Sequence, residues 1–365
     1  MRADKLDTIW ELAPHTRAKH ELLRNYLGAW FPMLSRYRGR VIVLDAFAGP
    51  GVYDRGEPGS PRIVLETLLG HNFRDRMGDC EFLLLFNEQD RERYGSLISV
   101  LDAVKDEHGS VPKNIRIHAL NDNFPDLAHN ILEGLEGADL APTFAFIDPF
   151  GYRDVPIELI ARLLAFRRCE LFIYFDFNSV SRFATAGNVD QHFEALFGTD
   201  EFTQAPPAGD PARGPFLHDL YHRQLRDRAG FDYVQSFEMV NAKGRTGNYL
   251  FFCTRSVEGL DKMKVAMWKV APIGNFRFDD RLVGQPGLFE DSIDTAPLRD
   301  AMRDRYRGGT VPIEDVTTFT IVETAFTSSH LKRRTLAPMQ RDGLIESPNQ
   351  KRAGQFPAGT LLRFL

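Results

Sequence analysis

Residues 41–51 read Val-Ile-Val-Leu-Asp-Ala-Phe-Ala-Gly-Pro-Gly, and the rest of the chain is interpreted around them. The first four residues are apolar and three of them are β-branched, which predicts a strand buried on both faces of a parallel sheet. The strand ends at Asp45. Gly49 and Gly51 follow at a spacing that lets the backbone turn sharply and approach a ligand closely. The pattern therefore predicts a ligand-binding turn between a strand and a helix.

Two nucleotide-binding motifs can be excluded at this turn. A dinucleotide fingerprint needs a glycine where Asp54 stands, and a P-loop needs a lysine where Glu57 stands. What remains, an acid followed by Phe-x-Gly-x-Gly, resembles motif I of class I S-adenosylmethionine (SAM) methyltransferases. The resemblance implies that four residues surround the amino-acid part of SAM: Asp45, Phe47, Gly49 and Gly51. The alternative is a tight turn that follows a core strand and binds nothing.

Four further apolar segments alternate with helical patterns. They span residues 82–86, 115–120, 143–147 and 171–175, and the polar residues that follow them include Glu88, Asp122-Asn123, Asp148 and Asp176. The alternation predicts an α/β fold with a doubly wound, mostly parallel sheet, whose ligands bind at the carboxyl ends of the strands. Together with Asp45 these acids are expected along one edge, although a single strand-end Asp more often caps a helix.

The composition is that of a globular chain, with 43% apolar and 26% charged residues and a mean hydropathy of -0.29. No run of about 18 apolar residues predicts a membrane span. The charged start, residues 1–7, favours a cytoplasmic location over a signal peptide. The three cysteines lie far apart, and His218 with His222 lacks a third ligand at a suitable spacing, so we predict no metal site.

The net charge of -5 does not predict nucleic-acid binding, but two segments are locally basic. Residues 15–40 contain six Lys or Arg against one Glu, and residues 329–365 contain seven against two acids. In the first segment, a helix from Thr16 to about Trp30 is expected to have one apolar and one basic face. The predicted nucleic-acid contacts are Arg17, Lys19, His20, Arg24, Lys332, Arg333, Arg334, Lys351 and Arg352.

The C-terminal residues predict a separate unit. Helices over residues 312–324 and 330–342 are followed by short strands at 344–346 and 360–364, with a basic loop between them. This order resembles a winged helix-turn-helix domain, which binds nucleic acid in some proteins and another protein elsewhere. The predicted domains are a basic helical segment at 1–40, a methyltransferase-like domain at 41–308 and a winged helix at 309–365.

Several motifs taken together resemble one family. They are Pro14-His15-Thr16 with Lys19-His20, the Asp-Ala-Phe-Ala-Gly-Pro-Gly-Val-Tyr turn at 45–53, Gly59-Ser60-Pro61, and Phe-Ile-Asp-Pro-Phe-Gly at 146–151. The set is similar to the three-Cys-motif partner family, TcmP, from about Ile9 to the C-terminus. That resemblance implies a class I methyltransferase-like fold and a partner protein that carries a three-cysteine motif and is radical-SAM-like.

Two neighbouring families point to a substrate. A Lys-His helix before an Ala-Gly-x-Gly-x-Tyr turn is similar to J-type rRNA adenine-N6 methyltransferases, and Asp-Pro-Phe-Gly is similar to motif IV of tRNA guanine-N2 dimethyltransferases. Both act on exocyclic amines. The resemblance implies that Asp148, Pro149, Phe150 and Gly151 hold the target amine, while Glu88 binds the ribose of SAM and Asp122-Asn123 its adenine edge. Phe150 and Gly151 depart from the adenine motif Asp-Pro-Pro-Tyr, so a strand-end turn with a buried Phe stays an alternative.

The sequence thus favours a SAM-dependent methyltransferase that modifies a nucleic-acid base. The rival hypothesis is a non-catalytic methyltransferase fold that presents nucleic acid, or a partner, to the three-cysteine protein.

Overall fold

The computed structural model describes residues 8–138, 140–185, 187, 190–272, 274–280 and 293–365. The chain forms two compact units. The first contains Met1–Ser256 with Phe278–Val283, and the second contains Val257–Arg277 with Gly284–Leu365. The predicted boundary at residue 309 therefore differs from the observed division. The reason is that Trp268 packs in one core with Leu298 and Met302, far along the chain.

The first unit is built on a sheet of eight strands in the order β3-β2-β1-β4-β5-β7-β6-β8. The strands are β1 (Arg40–Asp45), β2 (Glu81–Asn87), β3 (Ile115–Leu120), β4 (Thr143–Ile147), β5 (Glu170–Phe175), β6 (Tyr233–Val240), β7 (Thr246–Thr254) and β8 (Arg277–Asp279). Strands β1 to β5 run parallel, and β7 is antiparallel to both β5 and β6. The predicted mostly parallel sheet is confirmed, and with its flanking helices it is consistent with a Rossmann-like methyltransferase fold.

Helices cover both faces of this sheet, as a doubly wound sheet requires. They are α1 (Pro14–Leu34), α2 (Ser60–Leu69), α3 (Arg91–Glu107), α4 (Phe124–Gly134), α5 (Ile157–Leu163), α6 (Phe177–Phe183), α7 (Asp190–Phe197) and α8 (Arg213–Asp227). Helices α1, α2 and α3 pack together, and α4, α5, α7 and α8 form a second group. Because both faces are covered, Val41–Asp45 is buried without interruption.

The first helix differs from its prediction. It begins at Pro14, not Thr16, because Ala13 is the extended N-cap residue and proline suits the first helical turn. It continues to Leu34. Its buried residues include Lys19 and His20, so the expected basic face is wrong for these two side chains. Arg17 and Arg24 are exposed as predicted.

In the second unit, α9 (Val257–Val270) and α10 (Ala296–Tyr306) precede the elements that the C-terminal pattern predicts. These are β9 (Thr310–Pro312), α11 (Ile313–Glu323), α12 (Ser328–Leu331), a π-helical turn (Lys332–Leu336), α13 (Ala337–Arg341), β10 (Ile345–Glu346) and β11 (Leu361–Phe364). The strands form an antiparallel sheet in the order β10-β11-β9. The predicted helix over 330–342 is thus interrupted by a π-helical turn at its basic residues. None of the helices within the described ranges combines the length and apolar character that crossing a bilayer requires.

Candidate active site

The parallel strands bring the strand-end acids to one edge of the sheet. Since the order is β3-β2-β1-β4-β5, the sequence along this edge is Asp122, Glu88, Asp45, Asp148 and Asp176. Asp176 accepts a hydrogen bond from the backbone N–H of Ser179 and caps α6. The predicted alignment of the acids is observed, and Asp176 has the structural role that single strand-end acids often have.

The turn after β1 depends on two glycines whose backbone conformation other residues rarely adopt. Gly49 and Gly51 have φ values of 63° and 80°, in the left-handed region that favours glycine. The backbone N–H of Ala48 donates to Asn87 O at 2.8 Å, which ties the turn to the end of β2. The two glycines therefore line the space beside the turn without side chains, and a Cβ added to Gly51 would lie 3.2 Å from Val100 of α3.

The loop that follows, residues 52–59, folds back on the same turn. The Gly59 N–H donates to Gly51 O at 2.9 Å, and a Cβ added to Gly59 would lie 2.7 Å from the Gly51 carbonyl carbon. Only glycine fits this close approach. The loop places Tyr53 in the cavity wall, its ring 5.7 Å from the His20 ring. This loop thus shapes the cavity.

A cavity of about 260 Å³ lies beside the glycine turn. Eight predicted site residues line it: Lys19, His20, Phe47, Gly49, Gly51, Asp148, Pro149 and Phe150. Gly151, with φ of 95°, lines a smaller neighbouring pocket. The structure therefore brings the motif turn and the Asp-Pro-Phe-Gly segment to one space, because β1 and β4 are adjacent parallel strands.

Lys19 lines the cavity and does not lie on the basic outer surface that the sequence predicts. Its ammonium group forms an ion pair with Oδ2 of Asp148 and lies 4.9 Å from the centre of the Tyr174 ring. The residue is only 6% exposed, so it does not belong to an outer nucleic-acid surface. Within the described ranges, no hydrogen bond reaches Oδ1 of Asp148, and this oxygen is left for another donor.

His20 is also inside the cleft. Burial lowers its pKa to about 3, and the positive charges of Lys19 and Arg24 act in the same direction. The imidazole is therefore neutral at physiological pH and supplies no charge for a phosphate. The prediction that His20 contributes to a basic surface is not supported by this placement.

A cluster of two aromatic rings and a cation, which no sequence motif predicts, lies beside the cavity. The Trp10 and Phe150 rings meet edge to face with centroids 5.5 Å apart. The Arg93 guanidinium lies 5.2 Å from each ring centre. Phe150 is 53% exposed, contrary to the alternative of a buried Phe. No sequence pattern joins Trp10 to Arg93, and only the fold brings them together.

Asp45 lies in an unusual environment for an acid. It is fully buried, and burial raises its pKa to about 7, with a further increase from the charge of Asp148. The Ser60 side chain and the Phe47 backbone oppose this increase, although neither meets normal hydrogen-bond geometry at the carboxylate oxygens. Across the described residues both oxygens lack a hydrogen-bond partner. A buried carboxyl group in this state is suited to a cationic or donor ligand.

Asp45 and the remaining predicted cofactor residues do not line the cavity, and the latter lie at neighbouring strand ends. Glu88 is buried and accepts a hydrogen bond from the Asp90 N–H at 2.7 Å. Burial raises its pKa, while the Asp90 N–H and the charge of Arg93 lower it. The Asp122 backbone is fixed by the Asn87 side chain. Asn123 uses its side-chain oxygen to cap α4.

The histidine pair on α8 does not form a metal site. The His222 Nε2 lies 3.0 Å from Val234 O, and the His218 ring packs 4.6 Å from the Tyr249 ring. In the part of the chain that the structure describes, no group of three His, Cys, Asp or Glu is arranged to hold a metal ion.

The predicted basic residues outside the cleft are exposed. Arg24 forms an ion pair with Glu66 at 3.4 Å, and Arg17 lies on the same face of α1. In the second unit the predicted nucleic-acid contacts are also exposed: Lys332, Arg333, Arg334, Lys351 and Arg352. The loop that contains Lys351 is tied to α13 because the Gln340 side chain bonds both Gln350 and the Gly354 N–H.

The chain matches no protein-family model and no curated protein. Among solved structures it is similar to a precorrin-6y C5,15-methyltransferase from Geobacter metallireducens, with 14% identity and a TM-score of 0.29 over 70% of this chain and 92% of that one. It is also similar to the N-terminal domain of human METTL16 in complex with SAH, with 13% identity and a TM-score of 0.29 over 62% and 68% of the two chains. At these TM-scores the likeness carries no argument about activity. The fold assignment depends on the sheet itself.

Proposed function

We propose that this chain is a SAM-dependent methyltransferase that acts on an exocyclic amine of a nucleic-acid base. One observation carries the proposal: the glycine turn after β1 and the Asp148–Gly151 segment after β4 line adjoining space at the same sheet edge. A methyl donor held by the first and an amine held by the second would meet there. When bound, SAM supplies the electrophilic methyl group.

The residues present fit such a cofactor. Gly49 and Gly51 leave the turn without side chains, and the unpartnered carboxyl group of Asp45 suits the ammonium group of the methionine part. Phe47 contributes to the same wall. Glu88 would accept hydrogen bonds from the ribose hydroxyls, and Asp122 with Asn123 would meet the adenine edge. For Asn123 this requires the second side-chain N–H, because the oxygen caps α4 and the nitrogen already donates to Asp126 Oδ2 at 2.6 Å.

The target amine would be oriented by the segment after β4. Oδ1 of Asp148 would accept a hydrogen bond from one amine N–H, and a backbone carbonyl of the segment would accept one from the other, so that the nitrogen lone pair points toward the methyl group. As the bond from nitrogen to the methyl group forms and the methyl–sulfur bond breaks, the first N–H would release its proton to Oδ1. Lys19 holds Oδ2 and fixes the carboxylate in position. Pro149 restricts the backbone, and the exposed ring of Phe150 offers a surface on which a base can stack.

The second unit is proposed to be a winged helix that contacts nucleic acid. The order helix, strand, two helices and two strands in α10 to β11 supports this, as do the exposed Lys332, Arg333 and Arg334 at the π-helical turn. Such turns occur often at functional sites. The loop with Lys351 and Arg352 corresponds to the wing.

A second candidate function is a non-catalytic scaffold of the TcmP type, which presents nucleic acid to a three-cysteine-motif partner. The ion pair of Lys19 with Asp148 favours it, because the proposed amine acceptor is already engaged on one oxygen. The test is transfer of labelled methyl from SAM to nucleic acid from cells that lack the gene, with and without that partner. Label in a base supports the enzyme, whereas SAM binding without transfer to any nucleic acid supports the scaffold.

Replacing Glu88 with Ala is expected to weaken SAM binding at least about tenfold, since a hydrogen bond to a charged group contributes roughly 1.5–3 kcal/mol. Calorimetry measures the affinity. Gln89→Ala, an exposed neighbour, is the control and should bind SAM as the unmodified chain does. Unchanged affinity in Glu88→Ala would assign the ribose contact to another residue.

The variant Lys332→Glu/Arg333→Glu is expected to lower nucleic-acid affinity about tenfold and to reduce its salt dependence, because fewer counterions are released. Arg305→Glu/Arg307→Glu carries the same charge change at the C-terminal end of α10 in the same unit and serves as the control. Fluorescence anisotropy at several salt concentrations makes the comparison. Equal losses in both variants would argue against a specific contact at the π-helical turn.

A further inference from the structure

We propose that a second surface of the first unit binds single-stranded nucleic acid, at the end of α1 away from the cavity. The surface consists of Arg36, Tyr37, Arg38, Phe73, Arg76 and Arg168, and is called the arginine–aromatic patch below. Four of its six members are arginines, and two acids lie near them: Asp79, which lines the same cavity, and Asp75, the chain neighbour of Arg76. This local charge contrasts with the net charge of -5 for the whole chain.

The patch surrounds an open cavity of about 630 Å³, lined by Arg36, Arg38, Arg76 and Phe73 among others. Arg38 and Asp79 are paired at 3.8 Å with side chains that are 80% and 75% exposed, so this ion pair is weak and readily exchanged. Guanidinium groups bind phosphate through two parallel hydrogen bonds. The cavity is therefore suited to a phosphate group of a nucleic-acid strand.

The aromatic rings distinguish this patch from a simple basic surface. Tyr37 is 54% and Phe73 is 49% exposed, which is unusual for such large rings. The Arg168 guanidinium lies 3.7 Å from the centre of the Tyr37 ring, and that of Arg76 lies 5.5 Å from the Phe73 ring. Arginines beside exposed rings provide phosphate contacts and base stacking together. An acidic peptide offers carboxylates but no bases to stack, so nucleic acid is the better match.

Helix α1 connects the patch to the cavity. Its N-terminal residues His15, Lys19 and His20 line the cavity, and its C-terminal end leads directly into Arg36. A helix of 21 residues is about 30 Å long. Arg17 and Arg24, two turns apart, are exposed along it. A strand with one base in the cavity can thus follow α1 to the patch. This inference rests on the proposed nucleic-acid substrate.

The experiment is fluorescence anisotropy of the full chain with a labelled single-stranded oligonucleotide and the matching duplex. Arg36→Glu/Arg76→Glu is expected to weaken single-strand binding about tenfold and to flatten its salt dependence. The control, Arg162→Glu/Arg226→Glu, makes the same charge change at exposed positions of α5 and α8. Phe73→Ala should weaken binding of the single strand about fivefold or more by loss of one stacked base, with little effect on the duplex.

Equal losses of oligonucleotide affinity in the patch and control variants would overturn the proposal. Such losses would come from the overall charge of the protein and not from contacts at the patch. Polyglutamate that competes as well as the oligonucleotide does would also overturn it, in favour of an acidic protein partner. Binding is measured without SAM, so a failure of methyl transfer leaves this inference unaffected. Conversely, unchanged oligonucleotide affinity in the patch variants would exclude the patch as a binding surface. The proposed function of the cavity would not be affected.

Discussion

Replacing Asp148 with Asn is expected to lower methyl transfer by about two to four orders of magnitude, the range for loss of a positioned proton acceptor. An amide at this position can still occupy the space, but it has one acceptor oxygen and adds donors that face the amine protons. SAM affinity should stay within about twofold, since the proposed cofactor contacts are elsewhere. Labelled SAM and single-turnover conditions measure the transfer step, and calorimetry measures the binding.

The ion pair with Lys19 requires further variants, because Asp148→Asn leaves a buried ammonium group without its partner. Such a loss often costs stability. The double variant Lys19→Met/Asp148→Asn removes both charges. If Asp148→Asn alone unfolds, methyl transfer by the double variant is compared with that of the unmodified chain. Glu11→Gln is the matched control, because Glu11 lines the same cavity and its side chain is 70% exposed. Full transfer by a folded Asp148→Asn would exclude the proposed role of this carboxylate and would assign the amine contact to another group.

The strands could be predicted because each one is encoded by a short run of apolar residues that are consecutive in the chain. Val41–Asp45 is buried on both faces, and a strand in that position must be apolar at every residue. The parallel order then places the strand-end residues on one edge whatever the details of the helices. For the same reason the convergence of Asp45 and Asp148 followed from the alternation of elements alone.

The contents of the cleft could not be predicted from the same signal. Helical periodicity assigns Lys19 and His20 to a polar face and assumes that this face meets water, whereas here it borders the cavity. The contact of Arg93 with Trp10 joins residues that are far apart in the chain. The place of α9 in the second unit depends on Asp261, which caps α12 through Ser328, and on Lys264, which bonds the carbonyl groups of Ile321 and Thr324. Contacts between residues so far apart produce no periodic pattern in the sequence.

Asp45→Asn is expected to abolish the ammonium contact of SAM and, at the same time, to stabilise the folded chain above pH 7. The carboxyl group has an ordinary pKa of 3.8, which burial raises to about 7 in the folded state. Between these values the folded chain keeps a proton that the unfolded chain has lost. Stability therefore falls as pH rises from about 4 to 7 and stays low above pH 7. At 1.36 kcal/mol per pKa unit, the difference is at most about 4 kcal/mol.

Denaturant unfolding of the unmodified chain and Asp45→Asn at pH 5 and pH 8 tests the stability, with Asp102→Asn as an exposed control on α3. The gain in Asp45→Asn should be larger at pH 8 than at pH 5, and the control should show no such difference. In the same chains, SAM affinity should rise up to about tenfold from pH 6 to pH 8 in the unmodified protein, because the ammonium group needs the ionised carboxylate. The rise should be absent in Asp45→Asn, whose affinity stays low. A stability difference that does not change with pH would show that Asp45 ionises normally, and equal SAM affinity in the two chains would remove it from the cofactor site.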